Sequence, residues 1–243
     1  MARQGLLEAS GVVLARVRMG EGGLWLTLFL RGEGLLRASA PGAESGRVRF
    51  GGGTEPFVGG TFRLYRGRAG GLCLNGVDIV DGMIPLRRRP DALLTAVRWS
   101  RLVTRFLLSG HPADELLANL YWNMRLLSEP SVPAAAAGWR FLWRWLTDWG
   151  LASDMGHCIH CGRVLQKGAA WTGEGLVCPD CDPSAQRERP VFTGGELTLL
   201  SQVAGRSVEG VASAFRANPS LQAREGVFAL ASRCLESLLQ NEK

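Results

Sequence analysis

The sequence contains few of the residues that enzymes commonly use for catalysis. Its 243 residues include only three histidines, His111, His157 and His160, and only two lysines, Lys167 and Lys243. Few histidines are therefore available for a catalytic Ser-His-Asp or Cys-His site. Neither lysine lies in a Gly-x-x-x-x-Gly-Lys-Ser/Thr phosphate loop. The His-Glu-x-x-His of metalloproteases and the His-x-Glu of zinc deaminases are also missing. We therefore expect the chain to bind rather than to catalyse.

Long apolar runs are missing as well. The longest sheet-like apolar stretch, residues 24–30, is far shorter than the roughly 18 to 20 residues of a membrane-spanning helix. The N-terminus has no apolar region typical of a signal peptide. We expect a soluble, cytoplasmic protein with no membrane partner. A content of 46% hydrophobic and 21% charged residues excludes wholesale disorder.

Positive charge is concentrated in the first third of the chain. Residues 1–90 contain thirteen arginines and seven acidic residues, a net charge of +6, whereas residues 91–243 contain fifteen basic and fifteen acidic residues. Such a field attracts polyanions, of which nucleic acid is the commonest in a cytoplasm. The alternatives are a solvated basic surface and an arginine excess that reflects genome composition. The candidate DNA-binding residues are Arg16, Arg18, Arg31, Arg37, Arg47, Arg49, Arg66 and Arg68.

The first 84 residues are typical of a small β-barrel. Strand-length runs rich in β-branched or aromatic residues alternate with glycine-rich turns, which favour positive φ angles. The predicted strands are residues 11–18, 24–30, 35–38, 61–66 and 72–80. Five strands in a module of this size favour the oligonucleotide-binding (OB) barrel. Its aromatic residues Trp25, Phe50, Phe57 and Tyr65 could stack on bases if they are exposed.

The rest of the chain is predicted to be helical around a small metal module. Apolar residues recur at helical spacing from residue 91, over 114–127 and over 134–149, and Thr193 to Glu196 form a capping box. A final amphipathic helix is predicted at 221–240. Four tryptophans at 139, 143, 145 and 149 are two i, i+4 pairs, which favours core packing over base stacking. The fold class is therefore multidomain α+β, divided into an OB-type barrel (1–84), a first helical part (85–155), a cysteine module (156–183) and a second helical part (184–243).

Four of the six cysteines have the spacing of a zinc site. Cys158 and Cys161 form one Cys-x-x-Cys pair and Cys178 and Cys181 another, with sixteen residues between the pairs. Each pair points two thiolates at one centre, and a β-hairpin with its turn at residues 172–175 would bring the pairs together. The alternatives are two disulfides, which a cytoplasm disfavours, and four free thiols. Four thiolates complete the tetrahedral coordination of a zinc ion. The sequence therefore predicts one structural zinc.

The remaining candidate ligands are weaker. His157 and His160 flank the first pair and could replace a cysteine, but four cysteines already complete the site. Cys73 and Cys234 are expected to be buried small apolar residues.

In order, these features resemble the bacterial recombination mediator family RecO over nearly the whole chain. The metal segment, from Cys158 to Gly162 and from Gly175 to Cys181, is the most specific part of the resemblance. The barrel motifs that carry it are Glu8-Ala-Ser-Gly-Val-Val-Leu14, Gly20-Glu21, Leu26-Thr-Leu-Phe29, Gly34-Leu-Leu-Arg37, Pro56-Phe57 and Leu64-Tyr-Arg-Gly-Arg68.

The resemblance implies a non-enzymatic DNA-repair protein. Such a protein binds single- and double-stranded DNA, anneals complementary strands, associates with RecR and single-strand-binding protein, and helps to load RecA at the nucleoid. Two turns depart from the family pattern, because residues 19–25 contain no lysine and residues 40–45 no basic residue. A second hypothesis is therefore a protein-interaction scaffold with a structural zinc and weak or lost DNA binding.

Overall fold

The computed structural model describes residues 5–20, 22–44, 49–152, 154–184, 187 and 189–241. The chain forms two compact units, residues 1–128 and residues 129–243. The boundary falls inside the segment 85–155 that the sequence suggested as one helical part. The finer division of the chain into four parts stays a prediction.

The first unit contains a closed five-stranded barrel. Its strands are β1 (Gly5–Met19), β2 (Gly23–Leu30), β3 (Gly34–Ala40), β4 (Gly59–Arg66) and β5 (Leu72–Asp81). They pair in the order β1-β2-β3-β5-β4, and β4 returns to β1 to close the barrel. All pairings are antiparallel except that of β3 with β5. This is the predicted OB-type barrel, and its strands overlap the five predicted ones.

Alternating burial along the strands builds the barrel interior. On β2, Leu24, Leu26, Leu28 and Leu30 lie inside, as period-2 alternation requires. Residues from the other strands complete the interior: Val13, Ala38, Ala40, Phe62, Leu64, Leu72 and Leu74. Burial of this apolar surface stabilises the barrel.

Three helices complete the first unit: α1 (Ile84–Arg87), α2 (Pro90–Phe106) and α3 (Asp114–Leu127). The loop between α2 and α3 packs on the start of β3. The amide of Gly110 and the hydroxyl of Ser109 both donate to the carbonyl of Leu35, at 2.9 Å each. A Cβ at Gly34 would lie only 2.0 Å from the carbonyl oxygen of His111, so only glycine fits this close approach.

The second unit is helical around a small three-stranded sheet. Its helices are α4 (Ala134–Asp148), α5 (Gly194–Gly205), α6 (Val208–Ala217) and α7 (Glu225–Asn241), and a 3-10 helix (Pro219–Arg224) precedes α7. The sheet, in the order β7-β6-β8, comprises β6 (Ala169–Trp171), β7 (Leu176–Val177) and β8 (Val191–Phe192). α4 packs mainly against α7 and α5.

Tryptophans on α4 form part of the core of this unit. Trp139 and Trp145 are fully buried, which confirms core packing for these two, whereas Trp149 at the helix end is exposed. The helix ends as a Schellman motif: Gly150, at φ 72°, donates to Thr147, and Leu151 donates to Leu146. The helix therefore ends where the helical spacing of apolar residues over 134–149 predicted.

A buried arginine links α4 to the end of α5. Nε and Nη2 of Arg140 donate to the carbonyl oxygen of Arg206 at 3.2 and 2.9 Å. Burial, followed by the charge of Arg144, lowers the pKa of Arg140 to about 10. Across the described ranges, no helix is both long enough and apolar enough to cross a membrane.

Candidate metal centre and nucleic-acid interface

The four predicted cysteine ligands meet at one point in the second unit. The Sγ atoms of Cys158, Cys161, Cys178 and Cys181 all lie within 4.8 Å of one another. The predicted hairpin joins the two pairs, because β6 and β7 pair at Ala170–Val177 and Trp171–Leu176. Its turn is at residues 172–175, as expected, and the amide of Thr172 donates to the carbonyl of Gly175.

Each Cys-x-x-Cys segment is a tight turn that aims its thiols inward. The amide of Gly162, at φ 70°, donates to the carbonyl of Cys158, and the amide of Cys181 donates to that of Cys178. The amide of Cys178 donates to Sγ of Cys158 at 3.4 Å, so the backbone of one turn supports a thiol of the other. Both turns therefore hold their sulfur atoms in place through local backbone geometry.

One pair of the sulfur atoms has the spacing expected at a tetrahedral ion. A Zn–S bond is about 2.3 Å long, so the sulfur atoms of a tetrahedral site lie about 3.8 Å apart. The Sγ atoms of Cys161 and Cys178 are 3.8 Å apart. All six cysteines of the chain are free thiols, so the structure contains neither of the two alternative disulfides. Four cysteines form a closed set with no position for a reactive water.

The thiols of this cluster differ in pKa. Burial raises the pKa of Cys158, but donation from the backbone amides of Cys178, Cys161 and His160 outweighs it and lowers that pKa to about 6. Hydrogen bonding with the thiols of Cys161 and Cys178 raises the pKa of Cys181 to about 12. Such a spread is expected where several thiols share one centre, because each thiolate formed disfavours the next.

The two neighbouring histidines lie outside this group of four sulfur atoms. Nδ1 of His157 pairs with the carboxylate of Asp154, and His160 is exposed. Of the two other cysteines, Cys234 is buried as expected, and burial raises its pKa to about 11. Cys73 is only half-buried and lies on the outer surface of the barrel.

Four of the candidate arginines of the barrel already have partners. Arg16 pairs with Glu55 at 2.5 Å, Arg18 with Glu44 at 2.9 Å and Arg31 with Asp114 at 3.9 Å. Arg49 donates to the carbonyl of Pro41. Arg47 lies outside the described residues.

The other three candidates have no acidic partner among the residues that the structure describes. Arg37 is on β3, Arg66 ends β4 and Arg68 lies in the loop between β4 and β5. In an OB barrel, the face of β2 and β3 and the β4–β5 loop are the usual positions for binding a nucleic acid strand. These arginines are therefore placed where phosphate contacts are possible.

The aromatic candidates divide into two pairs. Phe50 and Phe57 are buried, so they do not meet the condition of exposure that base stacking requires. Trp25 is half-buried and Tyr65 is 38% exposed. Of these four candidates, Trp25 and Tyr65 are the two that remain available for base stacking.

Trp25 and Tyr65 lie at the two ends of a row of residues that pair across four neighbouring strands. Trp25 pairs with Ser39, Ser39 with Cys73, and Cys73 with Tyr65. The chain neighbours of these residues, such as Leu24, Leu26, Ala38, Leu64 and Leu74, are buried, so the four residues face outward. We call Trp25, Ser39, Cys73 and Tyr65 the outer row. It spans three strand spacings, about 14 Å.

Arg37 lies next to the outer row. Its guanidinium carbon is 4.8 Å from the centre of the Trp25 ring, a cation–π contact. Trp25, Tyr65 and Arg37 were candidates from the sequence. Ser39 and Cys73 were not, because only the register of β3 with β5 brings those two residues between the aromatic rings.

Comparison with known proteins gives one consistent result. Residues 1–83 match the family model described as recombination protein O N terminal, and residues 87–242 match recombination protein O C terminal. The chain is 30% identical over 228 residues to the DNA repair protein RecO of Anaeromyxobacter dehalogenans, covering 92% of this chain and 89% of the relative. It is 31% identical over 184 residues to RecO of Gloeobacter violaceus, covering 72% and 68%.

Proposed function

The chain belongs to the RecO family of DNA repair proteins, and on that premise we propose that it is a non-enzymatic mediator of recombination. It binds single- and double-stranded DNA and anneals complementary strands. With RecR and single-strand-binding protein as partners, it assists the loading of RecA at the nucleoid. The observation that carries the DNA-binding part is the outer row, with arginines beside it that have no acidic partner among the described residues.

The outer row provides two kinds of contact for a single strand. Trp25 and Tyr65 offer aromatic faces, and stacking contributes roughly 1 to 3 kcal/mol per base. Arg37, Arg66 and Arg68 offer guanidinium groups for phosphates. Because Arg37 already lies over the Trp25 ring, a base that stacks on that face displaces the guanidinium towards the phosphate.

We propose that the four cysteines hold one structural zinc ion. The ligand set of four thiols and the 3.8 Å sulfur spacing support zinc. A closed set of thiolates leaves the ion no role in hydrolysis, so its contribution is to the folding of the cysteine module. Annealing then needs no nucleotide, since the chain contains neither a phosphate-loop lysine nor a histidine-based catalytic group.

A protein-interaction scaffold remains the second candidate. Its support is that Arg16, Arg18 and Arg31 are paired with carboxylates of this chain, which reduces the charge available to DNA. The two turns at residues 19–25 and 40–45 also lack the basic residues typical of the family. Under this hypothesis the fold is kept and the affinity for DNA is weak.

A salt titration distinguishes the two candidates. For single-stranded DNA the slope of log K against log salt is about −0.7 per neutralised phosphate. The double variant Arg66→Gln/Arg68→Gln should flatten the slope by up to about 1.4, because both phosphate contacts are removed. We would measure fluorescence anisotropy of a labelled oligonucleotide at several salt concentrations.

The matched control is Arg16→Gln/Arg18→Gln, which removes the same charge from arginines that are already paired. It should change the slope less than the Arg66/Arg68 variant. If the unmodified chain binds no DNA even at low salt, the scaffold hypothesis replaces the mediator.

A further inference from the structure

The first unit contains a cavity whose lining includes no residue of the outer row. Its volume is about 590 Å³, within the usual range of small-molecule sites. It lies between α3 and the part of the barrel where β1, β4 and β5 run together. Its lining includes Gly11, Gly59, Gly60, Val80, Leu117, Ala118, Tyr121 and Trp122, with Arg31, Asp114 and Glu115 at the polar side.

The barrel side of the cavity contains three glycines beside Ser10, Val12 and Val80. A Cβ at Gly11 would lie 2.1 Å from the carbonyl oxygen of Phe29, and one at Gly60 would lie 2.4 Å from that of Asp78. Larger residues are therefore excluded at both of these positions. A Cβ at Gly59 would lie 3.0 Å from the Tyr121 ring, so this glycine also allows the aromatic ring to come close.

The opposite wall is aromatic. The rings of Tyr121 and Trp122 on α3 meet edge to face, with their centres 5.3 Å apart. Trp122 is 44% exposed, an unusually accessible position for so large an apolar side chain. Leu117 and Ala118, one turn earlier on the same helix, extend this wall. The exposed ring of Trp122 is suited to stacking on a planar ring.

A positive group lies at the polar side. The side chain of Arg31 is 78% exposed, and its Nε is 3.9 Å from Asp114, so its other N–H groups remain open to solvent. Asp114 fixes the turn that carries Arg31, because the amide of Gly32 donates to its carboxylate at 2.8 Å. Glu115 is exposed beside it and has no ion pair within the described part of the chain. A phosphate is therefore favoured on the side of Arg31 and disfavoured on the side of Glu115.

We propose that this cavity is a second nucleotide site, which takes one unstacked base of single-stranded DNA and places its phosphate against Arg31. The inference rests on the proposed DNA-binding function. A base is planar and can stack on the exposed ring of Trp122, because the Tyr121 ring already lies against Gly59. Single strands are commonly held by such stacking and charge. The apolar side chain of a partner protein would fill the same space but would not use the exposed guanidinium.

The cavity and the outer row are separate places on one barrel. Along β4, Gly59 at the cavity and Tyr65 in the outer row are six residues apart, about 20 Å at strand spacing. One nucleotide therefore cannot occupy both. Two strands, or two distant segments of one strand, can be held by the same unit, which is the arrangement that annealing requires.

Photo-crosslinking of the full chain tests the proposal directly. The probe is a ten-nucleotide DNA with one 5-iododeoxyuridine, and mass spectrometry locates the adducts. We expect adducts on Tyr121 or Trp122 and, separately, on Trp25 or Tyr65. Ala118→Trp should fill the cavity, remove the first adduct at least tenfold and leave the second. Ala217→Trp, at an exposed helical alanine outside the cavity lining, is the matched control and should leave both.

Two charge variants keep the test informative if the tryptophan disturbs α3. Arg31→Gln should lower the yield of the cavity adduct several-fold, whereas Glu115→Gln should raise it about twofold, because a like charge beside the phosphate is removed. Outer-row adducts without a cavity adduct would overturn this inference and leave the proposed function intact. Absence of both adducts would overturn the proposed function too.

Discussion

The barrel and the cysteine module are stabilised in opposite ways. The strands of the barrel are 7 to 15 residues long, close on themselves and enclose a continuous apolar interior. The module has β-strands of three and two residues, and two of its four cysteines are exposed. A hairpin of two strands this short is marginally stable by itself, although its residues are buried. We therefore expect burial to stabilise the barrel, and a metal ion held by the four cysteines to stabilise the module in addition.

The two units also differ in charge. Residues 1–128 contain 17 basic and 10 acidic residues, a net charge of +7, and residues 129–243 contain 11 basic and 12 acidic residues, a net charge of −1. A polyanion is attracted to the first unit and not to the second. We therefore expect contacts with DNA in the first unit, whereas the four cysteines that could hold a metal lie in the second.

The largest expected effect is the loss of the metal. Cys158→Ser/Cys161→Ser should abolish zinc binding and make residues 154–193 sensitive to protease, because structural zinc contributes on the order of 10 kcal/mol or more to folding its module. The barrel should stay folded. Metal analysis and limited proteolysis of protein prepared under reducing conditions measure both effects. Cys234→Ser is the control and should keep one zinc per chain; a double variant still fully loaded with zinc would contradict the assignment.

A core substitution in the barrel should have a smaller effect, and it should destabilise the barrel rather than the cysteine module. Phe62 is fully buried in the barrel interior, so Phe62→Ala should lower the free energy of unfolding of the first unit by about 3 to 5 kcal/mol. The zinc content should not change. Chemical denaturation measures the loss. Tyr65→Ala on the same strand removes an outward ring and should cost less; equal losses would contradict the assignment of inner and outer faces.

The smallest expected effect concerns the start of α5. The hydroxyl of Thr193 accepts from the amide of Glu196, and the carboxylate of Glu196 accepts from the amide of Thr193, which confirms the predicted capping box. Thr193→Ala should lower the stability of the second unit by about 1 kcal/mol without loss of zinc. Thr198→Ala, inside the same helix, is the control and should change stability by less. A variant that released the metal would show that the module and the helix unfold together.

Local patterns predicted most of the secondary structure. The prediction for α3 matches the observed Asp114–Leu127, and the prediction for β2 begins one residue late. Several elements were missed, α1 and β8 among them. The first part of β1, residues 5–10, has alternating burial but was not predicted, and α6 was not predicted as a separate helix because Gly210 weakens its helical pattern.

The metal ligands were predictable because their spacing is itself local. Each Cys-x-x-Cys turn needs only four residues to aim two thiols at one point, and the predicted hairpin joins the two turns. The charged and aromatic candidates of the barrel were not predictable to the same degree. Nothing in the neighbourhood of Phe50 or Phe57 in the sequence distinguishes these buried rings from the outward rings of Trp25 and Tyr65.

The sequence alone determined the order of strands and helices, the four cysteine ligands, the surplus of positive charge near the N-terminus and the resemblance to the RecO family. Only the tertiary structure decided which arginines are paired, which aromatic rings face outward and where a cavity forms. The physical reason is the range of the contacts. Hydrophobic periodicity acts over a few residues, whereas Arg16 meets Glu55 across 39 residues and Gly32 meets Asp114 across 82. Such contacts depend on how the barrel closes and how α3 packs on it.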